Sequence, residues 1–368
     1  MSHQAVGNGM GKRATGPGAG KSAGSGVEID LRPLRDPHWS AFVAGHRSAL
    51  PFHHPSWAAM LAECYGFHAF CLAVSDRAGR MLAGLPVIEV RHRAGRPRWV
   101  SLPFTDECPP LAVEEAEDSL SGWLDEARRA HGARRLEVRG ELAGAGAQRD
   151  GTFLTHRLPI DRSVDDVFAS LHANQVRRNI RRAQRAGVVI RPGAAEEDLT
   201  RVFYRLHIRT RHRLGVPVQP LRYFRLLWRR LLEPGHGTVL IAESDGVPVA
   251  AGVFLASREV CVYKYGASDE RRWGVRPNHL LFWAAIKWAM ARGCGTFDFG
   301  RTDLGDDGLR EFKSRWGTQE GRLTYSVLSD TPVRASGGGV PAPLRAVIRH
   351  GPRLVPRVLG ELLYRHTA

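Results

Sequence analysis

A helix pattern that runs directly into a short strand near residue 300 constrains this chain more than any other segment. Apolar residues recur at helical spacing over 277–292, and Pro277 stands where proline favours the first turn of a helix. Gly293-Cys294-Gly295 ends this helix, and the residues that follow, 296–299, predict a buried strand. The succession indicates an α/β chain.

The predicted strand ends in charged residues. Asp298 and Arg301 come just before a turn rich in Gly and Asp, at a strand end where α/β folds commonly bind ligands. The alternative is a structural ion pair between Asp298 and Arg301, which is also common at strand ends. The sequence leaves both interpretations open.

Lys313 is a further candidate because lysine is rare in this chain. The sequence has 53 Lys and Arg residues, yet lysine stands only at positions 12, 21, 264, 287 and 313. Between Phe312 and Trp316, a compact ammonium group partly shielded from water suits stabilisation of an oxyanion or binding of a phosphate. A solvated surface lysine is the alternative.

Arginine is concentrated in two stretches of the second half. A predicted helix at 175–186 carries five arginines, and residues 201–232 carry nine with no acidic residue. Such a density of like charge indicates an anionic partner, and phosphate-bearing ligands fit: coenzyme A, a nucleotide sugar, a polyprenyl-phosphate-linked glycan or tRNA. A solvated basic surface is the alternative.

Composition narrows the class of protein. With 43% hydrophobic and 24% charged residues the chain resembles a soluble globular protein with sizeable cores, and no segment reads as a membrane span. The Gly/Ser-rich residues 1–26 are expected to be disordered and lack a secretory signal, so a cytoplasmic location is expected. The five cysteines lack C-x-x-C spacing, which argues against a zinc site or a disulfide framework. Residues 15–22 nearly match a phosphate-binding loop but lack its flanking strand and helix, which argues against nucleotide hydrolysis.

The order of predicted elements places a domain boundary near residue 160. Upstream, strands and helices make a complete α/β unit, with a Gly/Ala-rich loop at 140–151. Downstream, two helices precede a hairpin around Ser244-Asp245-Gly246 and a third strand at 259–267. We therefore expect a disordered tail at 1–26, an N-terminal domain at 27–159, a catalytic C-terminal domain at 160–330 and a basic tail at 331–368.

An ordered set of motifs resembles one family of enzymes. The set comprises FDFGR at 297–301 and FK…WG at 312–317, preceded by LHANQVRRNIRRA at 171–183, Phe203-Tyr204 and RHRLG at 211–215. Over residues 160–330 these segments resemble the FemAB/FemX-like peptidyltransferases and the related CelD/BcsL-type acetyltransferases. A weaker likeness continues upstream through HPSW at 54–57, GLPV at 84–87 and SLPF at 101–104.

The resemblance implies an α/β (α+β) fold of tandem GNAT-like (acyl-CoA N-acyltransferase) domains, each a mixed twisted sheet flanked by helices. Such enzymes deliver an amine or hydroxyl to a thioester or ester carbonyl, with a base and with donors that face the developing oxyanion. The likeness implies a catalytic or donor-binding role for Lys313, and Asp298 is a candidate base. Some Fem enzymes place an acid after an Arg-Gly-Pro motif; here Thr105-Asp106-Glu107 stands instead, and Asp106 is expected at the same cleft.

The resemblance also implies a donor-binding loop. GNAT enzymes cradle a pyrophosphate at a helix N-terminus with the pattern Gln/Arg-x-x-Gly-x-Gly/Ala. This chain matches it at Arg271 and Gly274, has Arg276 where a small residue is usual, and continues into Asn278. The implied donor is acetyl-CoA or another acyl-CoA, or aminoacyl-tRNA, and no metal is expected. Further candidates for substrate contacts are Arg177, Tyr265 and Arg301, with Lys264 beside Tyr265.

The tail at 331–368 alternates apolar residues with arginines. It is expected either to lie on an anionic membrane surface or to pack against the second domain. The sequence as a whole predicts a cytoplasmic GNAT acyltransferase of cell-envelope or exopolysaccharide biogenesis that moves an acyl group from coenzyme A to an amine or hydroxyl of a glycan or envelope precursor. The alternatives are an aminoacyl-tRNA-dependent Fem-type peptidyltransferase and a non-catalytic GNAT-like protein that binds polyanions.

Overall fold

The computed structural model describes residues 20–21, 26–91, 95–144, 146–333, 340–352 and 354–364. Of the tail predicted to be disordered, only residues 20–21 and 26 are described, and Gly20–Lys21 pairs as a short strand; the rest of that prediction lies outside the described residues. No helix within these ranges has the length and apolar character needed to cross a bilayer.

Fourteen strands of the described residues form one sheet. They are β1 (Gly20–Lys21), β2 (Val27–Arg32), β3 (His68–Asp76), β4 (Met81–Val90), β5 (Arg98–Val100), β6 (Leu111–Ala112), β7 (Arg135–Val138), β8 (Ala147–Pro159), β9 (Val189–Pro192), β10 (Gly237–Ser244), β11 (Val247–Ala256), β12 (Val260–Ser268), β13 (Thr296–Asp298) and β14 (Gln319–Ser329). The strand order is β1-β2-β3-β4-β5-β7-β14-β8-β13-β12-β11-β10-β9, with β6 beside β4.

Eleven α-helices within the described residues flank this sheet. They are α1 (Pro37–Gly45), α2 (Pro55–Tyr65), α3 (Glu117–Ala130), α4 (Val164–Ser170), α5 (Arg178–Arg185), α6 (Tyr204–Leu214), α7 (Leu221–Leu227), α8 (Pro277–Ala291), α9 (Asp307–Ser314), α10 (Ala342–His350) and α11 (Val355–Leu363). Wider π turns precede α5 and α6 and follow α7. The predicted α/β class, with a mixed sheet flanked by helices, is confirmed.

The two halves of the sheet repeat one arrangement. In the first, β2, β3 and β4 are antiparallel and a parallel pair, β5 and β7, follows. In the second, β10, β11 and β12 are antiparallel, and β12 pairs with β13 in parallel. The predicted hairpin turn is present: Asp245 and Gly246 have φ of 53° and 70°, the left-handed pair that a two-residue turn requires.

Strands β8 and β14 join the two halves. β14 pairs with β7 on one side and with β8 on the other, and β8 also pairs with β13. The predicted loop at 140–151 is too long, because β8 already begins at Ala147. Strand β14 was not predicted. The start of β8 lacks apolar alternation, so its extended form depends on the partner strand rather than on local sequence.

Helix α8 is the most deeply buried helix of the second half. Leu280, Leu281, Phe282 and Trp283 are consecutive and all buried, so the helix has no polar face on this turn. Phe282 packs against Phe299 and Trp316, with ring centroids 5.3 and 5.6 Å away. Burying a side chain of this size stabilises the fold by about 1.5–3 kcal/mol. This packing holds the end of β13 and helix α9 in fixed positions.

The described part of the tail packs on the second half, one of the two alternatives expected for it. The Val218 N–H donates to the Pro356 carbonyl at 2.9 Å, and Ile348 is fully buried. A Cβ at Gly360 would lie 1.7 Å from the Val218 carbonyl oxygen, so this contact needs glycine. Helices α10 and α11 are thus docked through close backbone contacts.

Candidate active site

A β-bulge in β12 changes the direction of the Lys264 side chain relative to regular strand pairing. Val253 of β11 pairs with Tyr265 and the next residue, Phe254, pairs with Tyr263, so Lys264 has no partner in the ladder. Bulges commonly redirect a side chain beside an active site. The Lys264 ammonium donates to the Phe104 carbonyl at 2.7 Å. Its pKa is lowered because the group is buried.

Lys264 secures a strained loop. Leu102 and Phe104 have φ of 64° and 61°, a left-handed conformation that costs energy for residues with a side chain. Besides the bond from Lys264, the Trp57 indole donates to the Thr105 hydroxyl at 2.9 Å. Strain that the surroundings hold in place is typical of functional sites, and this loop presents Asp106.

Asp106 lies directly over Gly300. A Cβ built at Gly300 would be 3.1 Å from Asp106 Oδ2, and Gly300 has φ of 74°. The Tyr325 hydroxyl donates to the Asp106 carbonyl at 2.5 Å. Gly300 therefore permits both the turn after β13 and the approach of the carboxylate.

Lys313 binds the same turn from the other side. From α9 its ammonium donates to the Gly300 carbonyl at 2.7 Å and to the Arg301 carbonyl at 3.1 Å. The residue is only 3% exposed, and burial lowers the pKa of its ammonium to about 8 although Asp106 and Asp298 oppose the change. An ammonium has three protons, so one remains for a ligand. The alternative of a solvated surface lysine is therefore wrong.

Asp298 is engaged in an internal network. One oxygen accepts from Arg157 Nε at 3.1 Å and the other from the Gly300 N–H at 2.7 Å, while Arg157 also pairs with Glu107. Burial raises the pKa of the Asp298 carboxyl against the effect of Arg157. The suggested pair between Asp298 and Arg301 is not formed; Arg301 instead lies near Asp303 and donates to the Tyr325 hydroxyl at 3.2 Å.

A first cavity of about 390 Å³ opens between the two halves. Its wall brings together residues of both: Phe104, Thr105, Asp106, Arg139, Arg211, Gln219, Lys264, Tyr265, Arg301 and Tyr364. The candidates Tyr265, Arg301, Lys264 and Asp106 thus meet here. The Tyr265 hydroxyl is 2.8 Å from that of Tyr223. Four cationic side chains face one carboxylate, so the cavity suits an anionic ligand.

A second cavity of about 300 Å³ lies on the other side of β12. Lys313 and Asn278 are among its lining residues, and most of the wall is apolar: Ala251, Tyr263, Leu281, Phe282, Phe299, Leu309 and Phe312. At its edge Trp273 donates to the Ser268 hydroxyl at 2.9 Å, and Arg213 lies over the indole at 4.8 Å. Residues of β12 and residues next to Gly300 thus line both cavities, and Lys313 lines the second.

The candidate donor loop is a closed 3-10 turn over Glu270–Val275. The guanidinium of Arg271 donates to Asp269 at 3.0 and 2.6 Å, and Arg209 contacts the same carboxylate at 2.7 Å. The N–H groups of Arg272 and Arg276 donate to carbonyls within the turn. Arg276 has φ of 57°, a conformation in which glycine would be unstrained. Gly274 has open space around its Cα.

The two arginine-rich stretches differ in the structure. Within the described residues, no ion pair is found for the five arginines at 177, 178, 181, 182 and 185, and all but Arg177 are exposed. Arg177 is half-buried, with its Nε buried and unpartnered. In 201–232, by contrast, five arginines pair with acids distant in sequence: Arg209, Arg222, Arg225, Arg229 and Arg230. The expectation that this second stretch needs an anionic partner is therefore not supported for these five.

The basic helix α5 packs against α8. Asn179 Nδ2 lies 3.3 Å from Nε2 of His279, which follows the lining residue Asn278 on α8. Sequence reasoning missed Arg157, Glu107, Arg139 and Tyr325. Arg157 and Tyr325 reach the site through the pairing of β8 and β14, and Glu107 and Arg139 through the isolated bridge between Cys108 and Arg139; the sequence carries no local signal for these contacts.

The comparisons with known proteins agree with this geometry. Residues 170–314 match a family model described as an acetyltransferase (GNAT) domain. Lipid II:glycine glycyltransferase of Staphylococcus epidermidis is 32% identical over 83 residues, 21% of this chain and 20% of that protein. The enzyme of the same name from Staphylococcus aureus is 32% identical over 80 residues. The aligned region thus spans about a fifth of the length of these relatives.

The crystal structure of FemX is similar along most of the chain. The similarity covers 82% of this chain and 97% of FemX, with a TM-score of 0.68 and 18% identity. At this identity the comparison bears on the fold alone. The motifs from 171 to 317, the matched domain and the shared architecture support one conclusion: this chain has a GNAT fold and is similar to the FemAB/FemX-like proteins.

Proposed function

We propose that this protein is an aminoacyltransferase that forms an amide between the amine of an anionic cell-envelope precursor and an amino acid carried by tRNA. The observation that carries the proposal is the buried Lys313, which lies at the turn shared by a cationic cavity and an apolar cavity. A buried cation with one free proton is suited to a reaction in which negative charge develops on a carbonyl oxygen.

The chemistry assigned to these residues is acyl transfer without a covalent enzyme intermediate. The acceptor amine attacks the ester carbonyl carbon, and the third proton of Lys313 stabilises the oxyanion. The C–O bond to the ribose then breaks, the amide forms, and the ribose oxygen takes up the proton that the amine loses. Asp106, at the wall of the first cavity, is the proposed proton carrier.

This assignment replaces Asp298 as the base. Both oxygens of Asp298 are occupied by Arg157 and the Gly300 N–H, and the residue is not among those that line either cavity. We assign Asp298 a positioning role: it fixes the turn whose carbonyls bind Lys313. Asp106 carries no comparable side-chain ion pair among the described residues, which leaves its carboxylate available to an acceptor amine.

Two observations favour tRNA over coenzyme A as the donor. In the loop that would cradle a pyrophosphate, the Arg271 guanidinium already donates to Asp269. The N–H groups of Arg272 and Arg276 donate to carbonyls within the same turn. The arginines of α5, for which no ion pair is found among the described residues, are exposed and form a cationic surface suited to a phosphate backbone. The likeness to lipid II:glycine glycyltransferases agrees with this donor class.

Acyl transfer from acyl-CoA is the second candidate. It rests on the apolar walls of the second cavity, which suit an extended acyl carrier, and on the match of residues 170–314 to an acetyltransferase domain. In this alternative Arg276 and Asn278 would contact the carrier's phosphates at the start of α8, where backbone N–H groups face outward.

The decisive experiment supplies both donors to the same acceptor. A peptidoglycan precursor with a free amine is incubated with total tRNA charged with labelled amino acids, or with acetyl-CoA, and products are identified by mass. We expect an added amino acid from tRNA and no acetylated product. Acetylation alone would support the second candidate, and no product with either donor would point to a binding protein.

The role of Lys313 is tested in the same assay. Lys313→Met should lower kcat by about 10²–10³-fold, the range found when one oxyanion donor is removed. Lys287→Met is the matched control, because Lys287 is an exposed lysine of α8 outside both cavities, and its activity should match the unaltered protein. Equal activity of the two variants would remove Lys313 from the reaction.

A further inference from the structure

The outer face of the tail helices carries an apolar stripe. Leu354, Val358 and Leu362 follow one another at intervals of four residues, which places them on one side of α11. They are 60, 48 and 61% exposed, and Val347 of α10 is 56% exposed. The opposite side is packed: Pro356 and Gly360 are buried against the body of the protein. The stripe therefore belongs to helices whose orientation is fixed.

The two helices that carry this stripe also carry cationic residues. Arg345, Arg349 and Arg357 are exposed on the same two helices, and their one acidic residue, Glu361, pairs with Arg222 at 2.5 Å. Two helices with exposed large apolar side chains and exposed arginines, whose one carboxylate is ion-paired, match the two components of an anionic bilayer surface: acyl chains and negative head groups.

We propose that α10 and α11 form a membrane-docking face that binds bilayers containing anionic lipid. The stripe is the surface that enters the interface, and the exposed arginines of the two helices are available to anionic head groups. A second copy of the chain would also cover apolar residues, but a two-fold contact brings the same arginines of both copies together, in a protein of net charge +16. Charge thus favours the bilayer.

Helix α11, which carries most of the stripe, ends at the first cavity. Tyr364 directly follows α11 and lines that cavity; its hydroxyl accepts from Arg211 at 2.8 Å and donates to the Pro217 carbonyl at 3.0 Å. With a rise of about 1.5 Å per residue, Leu362 and Tyr364 are within one helical turn of each other. A docked molecule would therefore hold the cavity near the head groups. The docking itself does not depend on the proposed reaction.

The test is co-flotation with vesicles of phosphatidylcholine alone or mixed with phosphatidylglycerol. We expect binding to the mixed vesicles and little to the neutral ones. Because so basic a chain could bind anionic vesicles by charge alone, the informative variant removes the stripe without changing charge: Leu354→Gln, Val358→Gln and Leu362→Gln together. Its apparent affinity should fall at least about tenfold.

A matched control replaces Val164, Val189 and Val247 by Gln, since these valines are exposed to a similar extent on other elements. It should bind vesicles like the unaltered protein. Thermal unfolding of each variant checks that α10 and α11 remain docked. Equal vesicle binding of the two triple variants, or no binding by the unaltered protein, would overturn the proposal.

Two further readouts separate other outcomes. A dimer in sedimentation that the stripe variant abolishes would show that the face binds a second copy instead. Activity on an acceptor without a lipid tail should be unchanged in the stripe variant. If the stripe variant lost that activity but still bound vesicles, the stripe would serve catalysis and not docking, and the proposal would be overturned.

Discussion

The burial and contacts of Lys313 indicate its role. A buried ammonium that contacts two carbonyls, with no carboxylate at ion-pair distance among the described residues, does not lower the free energy of the fold by its charge. Its cost is offset elsewhere, as is common for groups that act in a reaction. The arrangement therefore favours a functional role over a structural one.

The charge of Lys313 should make stability depend on pH. Its pKa is about 8 when folded and about 10.4 in an unfolded chain, so between these values the unfolded chain binds more protons and stability rises with pH. The neighbouring charges act on the same group: Asp106, Asp298 and Asp306 raise its pKa and Arg301 lowers it.

The measurement compares urea unfolding of the unaltered protein and Lys313→Met at about pH 7 and about pH 10. The free energy of unfolding of the unaltered protein, relative to the variant, should rise by up to about 3 kcal/mol at the higher pH. The variant lacks only this titrating group, so the difference between the two proteins cancels the contributions of all other titrating groups. A constant difference would mean that Lys313 keeps an ordinary pKa.

Among the elements, the bulged strand β12 has the largest effect on the site. Lys264→Met should lower kcat by about 10–100-fold, because the Phe104 carbonyl loses its donor and the strained loop that presents Asp106 shifts. Acceptor KM should change less, since the other cationic side chains of the first cavity remain. Lys287→Met serves again as control. If kcat is unaffected, the loop holds its position without Lys264.

The basic helix α5 makes a separate prediction. Replacing Arg178, Arg182 and Arg185 by Gln should weaken tRNA binding and make its dependence on salt less steep, because fewer phosphate contacts release fewer counterions. The control replaces the ion-paired residues Arg225, Arg229 and Arg230, which removes the same charge. Filter binding at several salt concentrations measures both. Equal losses would indicate a general effect of net charge.

Local elements could be predicted from the sequence, whereas their assembly could not. The helix at Pro55–Tyr65, the strand at Met81–Val90 and the hairpin at Asp245-Gly246 each carry their own pattern of apolar residues or turn residues. Lys313 was found because lysine is rare. Arg157 and β14 were missed, since their positions depend on partners more than 100 residues away, for which a single sequence gives no signal.

At the scale of the whole molecule, we expect the continuous sheet to couple the folding of the two predicted domains. A break at residue 160 would leave β13 without β8 and would leave β7 and β8 without β14. Open sheet edges of this kind invite aggregation. The site also requires both halves, because Asp106 and Arg139 come from the first half and Lys313 and Arg301 from the second.

We therefore expect residues 27–333 to unfold in one cooperative transition, monitored by calorimetry and by tryptophan fluorescence. Fragments 27–159 and 160–333 should each be poorly soluble or partly unfolded when produced alone. A fragment extended to 147–333 is the informative comparison, since it restores β8 to β13 and β14 and should gain stability over 160–333. Two separate transitions in the intact chain, or a stable 160–333 fragment, would show that the halves fold independently and that the shared strands contribute little.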